Sequence, residues 1–333
     1  MSAADRLWWF RRLCIAGVIL AAAVVVLGAW VRLTAAGLGC PDWPGCYGHV
    51  YPQVSPGFGR ALHEMIHRYF AGTLILIITA LLALAVANRR YPSQPRAVPI
   101  ALFIVVCLQG ALGRLTVTLL LTPVIVTAHL LGGLCTLGLL GWLSLSPGRQ
   151  EPTVMERRLR KFAVAGLAVL TLQIALGGWT STNYAAIACP DFPTCRNSWW
   201  PPMDFADAFR PSRGLGIDYE GGVLAAPARV AIHFTHRLGA VATGLSLLAL
   251  AGLAWRRART RRLRSAAMLL ALAVCAQIAI GIETVKWGIP LALATLHNAG
   301  AAALVLAMVN LLRALWPGPP ASVVLLRDVE PAR

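Results

Sequence analysis

Charge is what this chain has least of. Of its 333 residues only 13% are Asp, Glu, Lys or Arg, while 58% are apolar and the mean hydropathy is +0.67. A soluble domain needs enough polar surface to cover its core, and this composition does not supply it. Acidic residues are scarcer still, 13 against 30 basic ones, for a net charge of +17. That balance would fit a nucleic-acid binder, but the placement of the basic residues, given below, excludes that partner. The first apolar run also lacks what a signal peptide needs. Arg6, Arg11 and Arg12 precede it, yet it is too long for an h-region, and Trp30 and Arg32 stand at its exit in place of a small-residue cleavage site. A retained helix is expected.

Eight apolar segments can be drawn, at 13–33, 61–87, 98–119, 122–145, 162–183, 227–254, 265–285 and 289–315, each long enough to cross a bilayer. The expected fold class is an all-α integral membrane protein with eight transmembrane helices. If the N-terminus is inside, the inner loops carry Arg89, Arg90 and Arg96, then Arg149, Arg157, Arg158, Arg160 and Lys161, then a run of arginines from Arg256 to Arg264. Only Arg60, Arg196, Arg210, Arg213 and Lys286 fall in the opposite loops. This asymmetry is an orientation signal that places both termini in the cytoplasm, against membrane lipid and not nucleic acid. Arg32, Arg68, Arg114, Arg229 and Arg237 lie in or at the ends of the helices and need another account.

The second half repeats the first. GLGCPDWPGC at 37–46 matches AIACPDFPTC at 186–195; His67-Arg68 recurs as His236-Arg237, and Gln109, Gly113 and His129 recur as Gln277, Gly281 and His297. A common apolar pattern does not reproduce the same polar landmarks in the same order. Four helices per repeat keep the two halves in one orientation, so two tandem, similarly oriented four-helix bundles are expected. The corresponding division is an N-terminal bundle at 1–148 with an outer cysteine loop, and a cytoplasmic linker at 149–161. A C-terminal bundle at 162–316 follows, with a longer outer loop near Asn183–Ala226, then a short cytoplasmic tail at 317–333. That long loop, with Trp199, Trp200 and several acids, reads as a lid or docking surface. Cys14, Cys107, Cys135 and Cys275 read as apolar filler in helices. Cys40 with Cys46 and Cys189 with Cys195 fall outside, where disulfides are permitted, although spacing alone leaves redox-active thiols or a metal open.

The stretch 61–87 opens on Glu64, His67 and Arg68 within one helical turn, and polar groups of this kind in a membrane usually face a bundle interior. His67, His129, His236 and His297 all lie a few residues inside helices that run inward from the outer face, so all four share a depth. Two imidazoles per half, on different helices between apolar walls, suit the two axial positions of a haem iron. Zinc fits less well because neither half offers a clear third protein ligand. Arg68 and Arg237 are candidates for the haem propionates, in competition with headgroup snorkelling. The halves differ at one informative place: Glu64 stands three residues before His67, and His233 stands three before His236. A carboxylate beside a porphyrin can move protons or stabilise positive charge, which marks the first half as the reaction site and the second as a permanent haem for electrons. His233 is then a spare ligand or a packed residue.

Taken in order, several stretches resemble the haem A synthase family, both its bacterial CtaA-like members and the mitochondrial enzyme. They are GAWVRLTAAGLGCPDWPGC at 28–46, HEMIHR at 63–68, the run with His129, YAAIACPDFPTC at 184–195 followed by WWPPMDF, HFTHR at 233–237 and LHNAG at 296–300. The likeness runs from about Val18 to Trp316. It implies an oxidoreductase of the inner membrane that converts a methyl group of haem O, through an alcohol and a hydrated aldehyde, to the formyl group of haem A for cytochrome oxidase. It implies Glu64 as the catalytic residue, His67 and His129 on the substrate, and His236 and His297 on a haem b cofactor. It further implies that Cys40 and Cys46 bear on activity while Cys189 and Cys195 are structural. Haem O synthase is the implied partner, with an unidentified electron donor for which a quinol is one candidate; a homo-oligomer is compatible with the sequence. An electron-transfer b-type cytochrome and a haem transporter are the competing readings.

Overall fold

Long apolar runs leave the backbone no water to bond with in a bilayer, so each run satisfies its N–H and C=O groups internally as a helix. The computed structural model describes residues 3–52, 57–90, 95–145, 153–214 and 216–317. Its long helices are α1 (Ala3–Leu33), α2 (Phe58–Ala87), α3 (Ala97–Thr118), α4 (Pro123–Ser144), α5 (Val154–Thr182), α7 (Ala226–Arg257), α8 (Arg261–Lys286) and α9 (Leu291–Leu315). A one-turn helix, α6 (Phe205–Ala208), lies in the segment between α5 and α7. Among the described residues eight helices are long and apolar enough to cross a membrane, the number expected from sequence.

Two ends differ from expectation. α1 begins at Ala3, so its basic N-terminal residues ride on the helix and extend it beyond the apolar run. α5 begins at Val154, inside the stretch expected to be a linker. The cause is a capping box: the Thr153 side chain accepts from the Glu156 N–H while the Glu156 carboxylate accepts from the Thr153 N–H. Positions 149–152 of that linker, and the tail after Pro317, lie outside the described residues.

α1 packs on α2 and α4, with α3 against both of these; α5 packs on α7 and α9, with α8 against both of these. Contacts of α1 with α9, and of α4 with α5 and α9, join the two sets. The core between the first four helices centres on Ile78, Leu81, Leu102, Leu137 and Leu140, and that between the last four on Leu247, Leu263, Leu270, Met308 and Leu311. Large apolar side chains also point outward, Ile19, Leu76, Leu172, Leu245 and Leu272 among them, as a lipid-facing surface requires.

At the helix ends that carry the cysteine loops, the second half reaches over the first. Arg32 donates to the Ser181 carbonyl at 2.7 Å, and its guanidinium stands 4.1 Å above the Tyr184 ring. The Tyr219 N–H bonds the Leu120 carbonyl at 3.1 Å, and Glu220 pairs with Arg60. The segment between α5 and α7 is internally tied as well, with Trp179 Nε1 donating to the Ala208 carbonyl at 2.9 Å and Arg213 paired with Asp207. It is a built strap across the first four helices.

Candidate haem-binding and catalytic site

Both cysteine loops close on the same plan. Cys40 is bonded to Cys46 and Cys189 to Cys195, and paired backbone hydrogen bonds join Cys46 to His49 and Cys195 to Ser198. The Asp42 carboxylate accepts from the N–H groups of Tyr47 and Gly48, at 2.6 and 2.7 Å. The Asp191 carboxylate accepts from Arg196, Asn197 and the Thr194 hydroxyl. The Gly48 N–H leads the groups that hold Asp42 below the usual carboxylate range. For Asp191 burial acts the other way and is outweighed by Thr194 with the two N–H groups. Both carboxylates thus carry a lowered folded value, so what they add to loop stability is complete at neutral pH and is lost only as pH falls through those values.

An arginine fastens each loop to its helix. Arg68 Nη1 donates to the carbonyls of Asp42 and Gly45 at 2.9 and 2.6 Å, and Nη2 to Glu64 Oε1 at 2.6 Å. Arg237 donates to the carbonyls of Thr194 at 2.7 Å, Asp191 at 2.8 Å and Cys189 at 3.0 Å. Its Nε meets His233 Nε2 at 3.2 Å, while His233 Nδ1 faces the Ala185 carbonyl at 3.2 Å. His233 is therefore a packed residue that links Arg237 to the chain before its loop. Glu64 takes the equivalent place in the first half. It is buried, and its Oε2 accepts the Cys40 N–H at 2.9 Å. The carboxylate is held from two sides, by the disulfide loop and by Arg68.

One turn further into α2 lies His67, facing His129 of α4 with ring centroids 6.5 Å apart and planes at 82°. Two metal–imidazole bonds of about 2 Å each, with a ring radius at either end, separate two axial rings by about 6 Å. The pair therefore stands at the spacing of two imidazoles sharing one iron. The His129 Nδ1 is buried without a hydrogen-bond partner, and the His67 ring lies at the backbone of Val24. His236 of α7 and His297 of α9 are the counterparts of these two in the repeat. Among the described residues no further His, Cys, Asp or Glu joins any of them in a group of three.

Each of the four rings rests on a glycine of a neighbouring helix. A Cβ at Gly28 would stand 3.0 Å from His67 Cε1, at Gly113 3.4 Å from His129, at Gly177 3.1 Å from His236 and at Gly281 2.9 Å from His297. Gly113 and Gly281 are repeat landmarks in the sequence, which by itself gives none of the four glycines a role. Their recurrence one helix before each histidine was the available signal. A branched side chain at Gly177 has nowhere to go except into the His236 ring, and overpacking of this kind costs about 1–3 kcal/mol. Gly177→Val is expected to lower the haem content of the purified chain while leaving its helix content intact; haem content equal to the parent's would show that the glycine is not a ring seat.

Elsewhere, His49 is exposed in its loop. Glu283 and Lys286 form a local ion pair at 3.1 Å at the surface, with Trp287 Nε1 on the same carboxylate at 2.8 Å.

The chain matches the family described as "COX15-CtaA: Cytochrome oxidase assembly protein" over residues 11–57 and 58–309. It is similar to the Heme A synthase of Shewanella oneidensis, 40% identical over 329 residues that cover 93% of this chain and 97% of that protein. It is also similar to the Heme A synthases of Rhizorhabdus wittichii, at 26% identity with 90% of each chain covered, and of Halalkalibacterium halodurans, at 28% with 82% and 86% covered.

Proposed function

The chain belongs to the COX15-CtaA cytochrome oxidase assembly family, and from that premise we infer that it is an oxidoreductase converting a methyl substituent of haem O to the formyl group of haem A. Its eight helices make it a multi-pass membrane protein. The finer reading is that these helices form two tandem, similarly oriented four-helix bundles, arisen by duplication, in the bacterial inner membrane with both termini in the cytoplasm. In support stand the repeated loops, the repeated arginine staples and the glycine behind every histidine.

In this reading haem O is the substrate of the first bundle, between His67 and His129, and His236 and His297 would hold a haem b in the second. When bound, a haem b held by His236 and His297 would supply one-electron transfer between the second bundle and the first. The protein's own contribution rests on Glu64. Hydrogen bonds on both oxygens hold its carboxylate in one orientation, one helical turn from His67. A preorganised carboxylate stabilises positive charge developing on the substrate carbon, or takes up the proton released there, without reorganising at that moment. Arg68 serves Glu64 and also ties the disulfide loop over the site, so Cys40 and Cys46 bear on activity through the position of the Cys40 N–H. In the second half His233 replaces the carboxylate, and the same architecture binds without oxidising. Arg68 and Arg237, partly exposed at the outer ends of their helices, are propionate partners in this scheme. Haem O synthase is the expected supplier of substrate, and a quinol is one candidate electron donor.

The observation that carries the assignment is the buried Glu64 placed beside the paired His67 and His129. Coexpression with a haem O source, followed by mass analysis of the extracted haems, tests it. Haem A with its alcohol intermediate is expected. Unmodified haem O alone, with an electron supply present, would return the chain to the electron-transfer or carrier readings.

A further inference from the structure

At the helix ends away from the cysteine loops, the start of α1 and the end of α2 border a cleft of about 510 Å³ lined by Arg6, Val86, Ala87, Arg89 and Arg90. Three arginines at one opening repel one another unless an anion stands between them. The nearby sequence supplies almost none. Within positions 1–20 and 86–99 the basic residues are Arg6, Arg11, Arg12, Arg89, Arg90 and Arg96, and the acids are Asp5 alone.

Arg6 is fixed in this place by a buried group. Its Nε donates to Asn88 Oδ1 at 2.8 Å, across from α1 to the residue that closes α2. Asn88 is fully buried, and the Nδ2 of the same amide has no partner. Burying an amide for one side-chain bond costs stability, and the effect of that bond is to hold an arginine at the cleft. The repeat does not demand the pair. In the register of the matched stretches, Arg6 falls on Met155 and Asn88 on Arg257. At the same end of the second half, arginines lie on tryptophan rings instead: Arg160 at 5.0 Å from Trp316, Arg313 at 4.8 Å from Trp142 and Arg264 at 5.8 Å from Trp255. Arg313 also donates to the Leu145 carbonyl at 3.1 Å. Arg12 rests in this way on Trp8 in the first half, but it does not line the cleft.

The rest of the lining selects the class of anion. Val86, on the cleft wall beside Ala87, is 53% exposed, and Leu7, Trp8 and Trp9 are exposed next to Arg6 on α1. Exposed tryptophans at the end of a membrane helix mark the depth of the lipid headgroups. An opening at that depth, with arginines and an apolar wall, matches an amphiphile whose charged end is a phosphate. A guanidinium can take two phosphate oxygens at once, while an acyl chain covers an exposed valine.

We propose that Arg6, Arg89 and Arg90 form a binding site for the phosphate headgroup of one anionic phospholipid, with Asn88 as the residue that positions Arg6. The site lies at the far end of the first four helices from Glu64, and its occupancy is separate from the haem chemistry proposed above.

The test uses the full chain, purified in detergent and stripped of lipid. It is titrated with phosphatidylglycerol and with phosphatidylcholine in mixed micelles, and bound lipid is counted by native mass spectrometry. One phosphatidylglycerol per chain is expected, held at least about 10-fold more tightly than phosphatidylcholine. Each of Arg6→Gln, Arg89→Gln and Arg90→Gln should weaken it by about 5-fold, and the three together by on the order of 100-fold. Asn88→Leu removes no charge but releases Arg6, and should weaken binding by about as much as Arg6→Gln. Arg157→Gln with Arg158→Gln removes two exposed charges from the same end of the second half and should leave binding as in the parent.

Equal affinity for the two lipids overturns the proposal, as does a triple variant that binds like the parent. An equal loss in the Arg157 and Arg158 control would show that overall charge and not the cleft attracts the lipid, which also overturns it. Inorganic phosphate that displaces phosphatidylglycerol at equal concentration would make this a site for a free anion and remove the lipid. Parent-like binding in Asn88→Leu, with helix content intact, would remove Asn88 as the anchor. If that variant loses helix content, Arg6→Gln decides, and unchanged affinity there counts against the site. None of these readings passes through haem, so their failure leaves the enzymatic reading where it stood.

Discussion

Glu64→Gln is expected to stop haem A formation, by about 100-fold to 10,000-fold, while leaving the second-bundle haem in place. The size follows from the two hydrogen bonds on the carboxylate. Glutamine's carbonyl oxygen can still accept the Cys40 N–H, but its amide then turns N–H donors toward Arg68, itself a donor. The substituted site thus loses its negative charge, its contact with Arg68 and part of the loop's anchorage together. Removing one member of a buried charge pair costs about 3–5 kcal/mol, so a control for folding is needed. The second half provides it, because His236 and His297 share no hydrogen bond with Glu64. Mass analysis of extracted haems from the variant should give haem O, with a normal low-spin signal from the second bundle. Haem A at the parent's yield would remove Glu64 from catalysis. Haem O together with loss of the second-bundle signal would instead indicate collapse of the fold.

His236→Ala is expected to have the complementary effect. One axial imidazole disappears, together with its hydrogen bond to Gln173, and the Gly177 seat is left facing an empty space. The chain should purify with about one haem fewer per molecule, or with a five-coordinate high-spin haem held by His297 alone, and haem A formation should fall to background because electrons have no resident carrier. His129→Ala should leave the second-bundle spectrum unchanged and abolish substrate retention instead. A parent-like low-spin spectrum in His236→Ala would mean that the axial pair has been misassigned.

The site was legible in the sequence to an unusual depth because it is written twice. A single His-Arg at the mouth of a membrane helix reads equally as a headgroup contact. The same pair recurring with a cysteine loop before it, and with a second histidine two helices later, does not. The exchange of Glu64 for His233 was visible for the same reason. Less visible was what the arginines do. Sequence placed Arg68 and Arg237 near the outer surface, but only folding shows loop carbonyls converging on both guanidiniums. Backbone acceptors carry no residue signature, so a pattern search does not see them. The α5 start at Val154 was missed by attending to hydropathy, since the capping box at Thr153 and Glu156 lies outside the apolar run.

By itself the sequence determined the number of membrane helices, the recurrence of the histidines in the two halves and the position of the odd carboxylate. Each of these depends on local composition or on repetition along the chain. Tertiary structure alone decided which groups touch: the Cys40 N–H on Glu64, the glycine behind each ring, the reach of Glu220 to Arg60, and the glutamine amides beside His236 and His297. These contacts depend on how helices distant in sequence are rotated and spaced against one another, and close approach of a side chain to a ring is permitted or forbidden by a single Cβ on another helix.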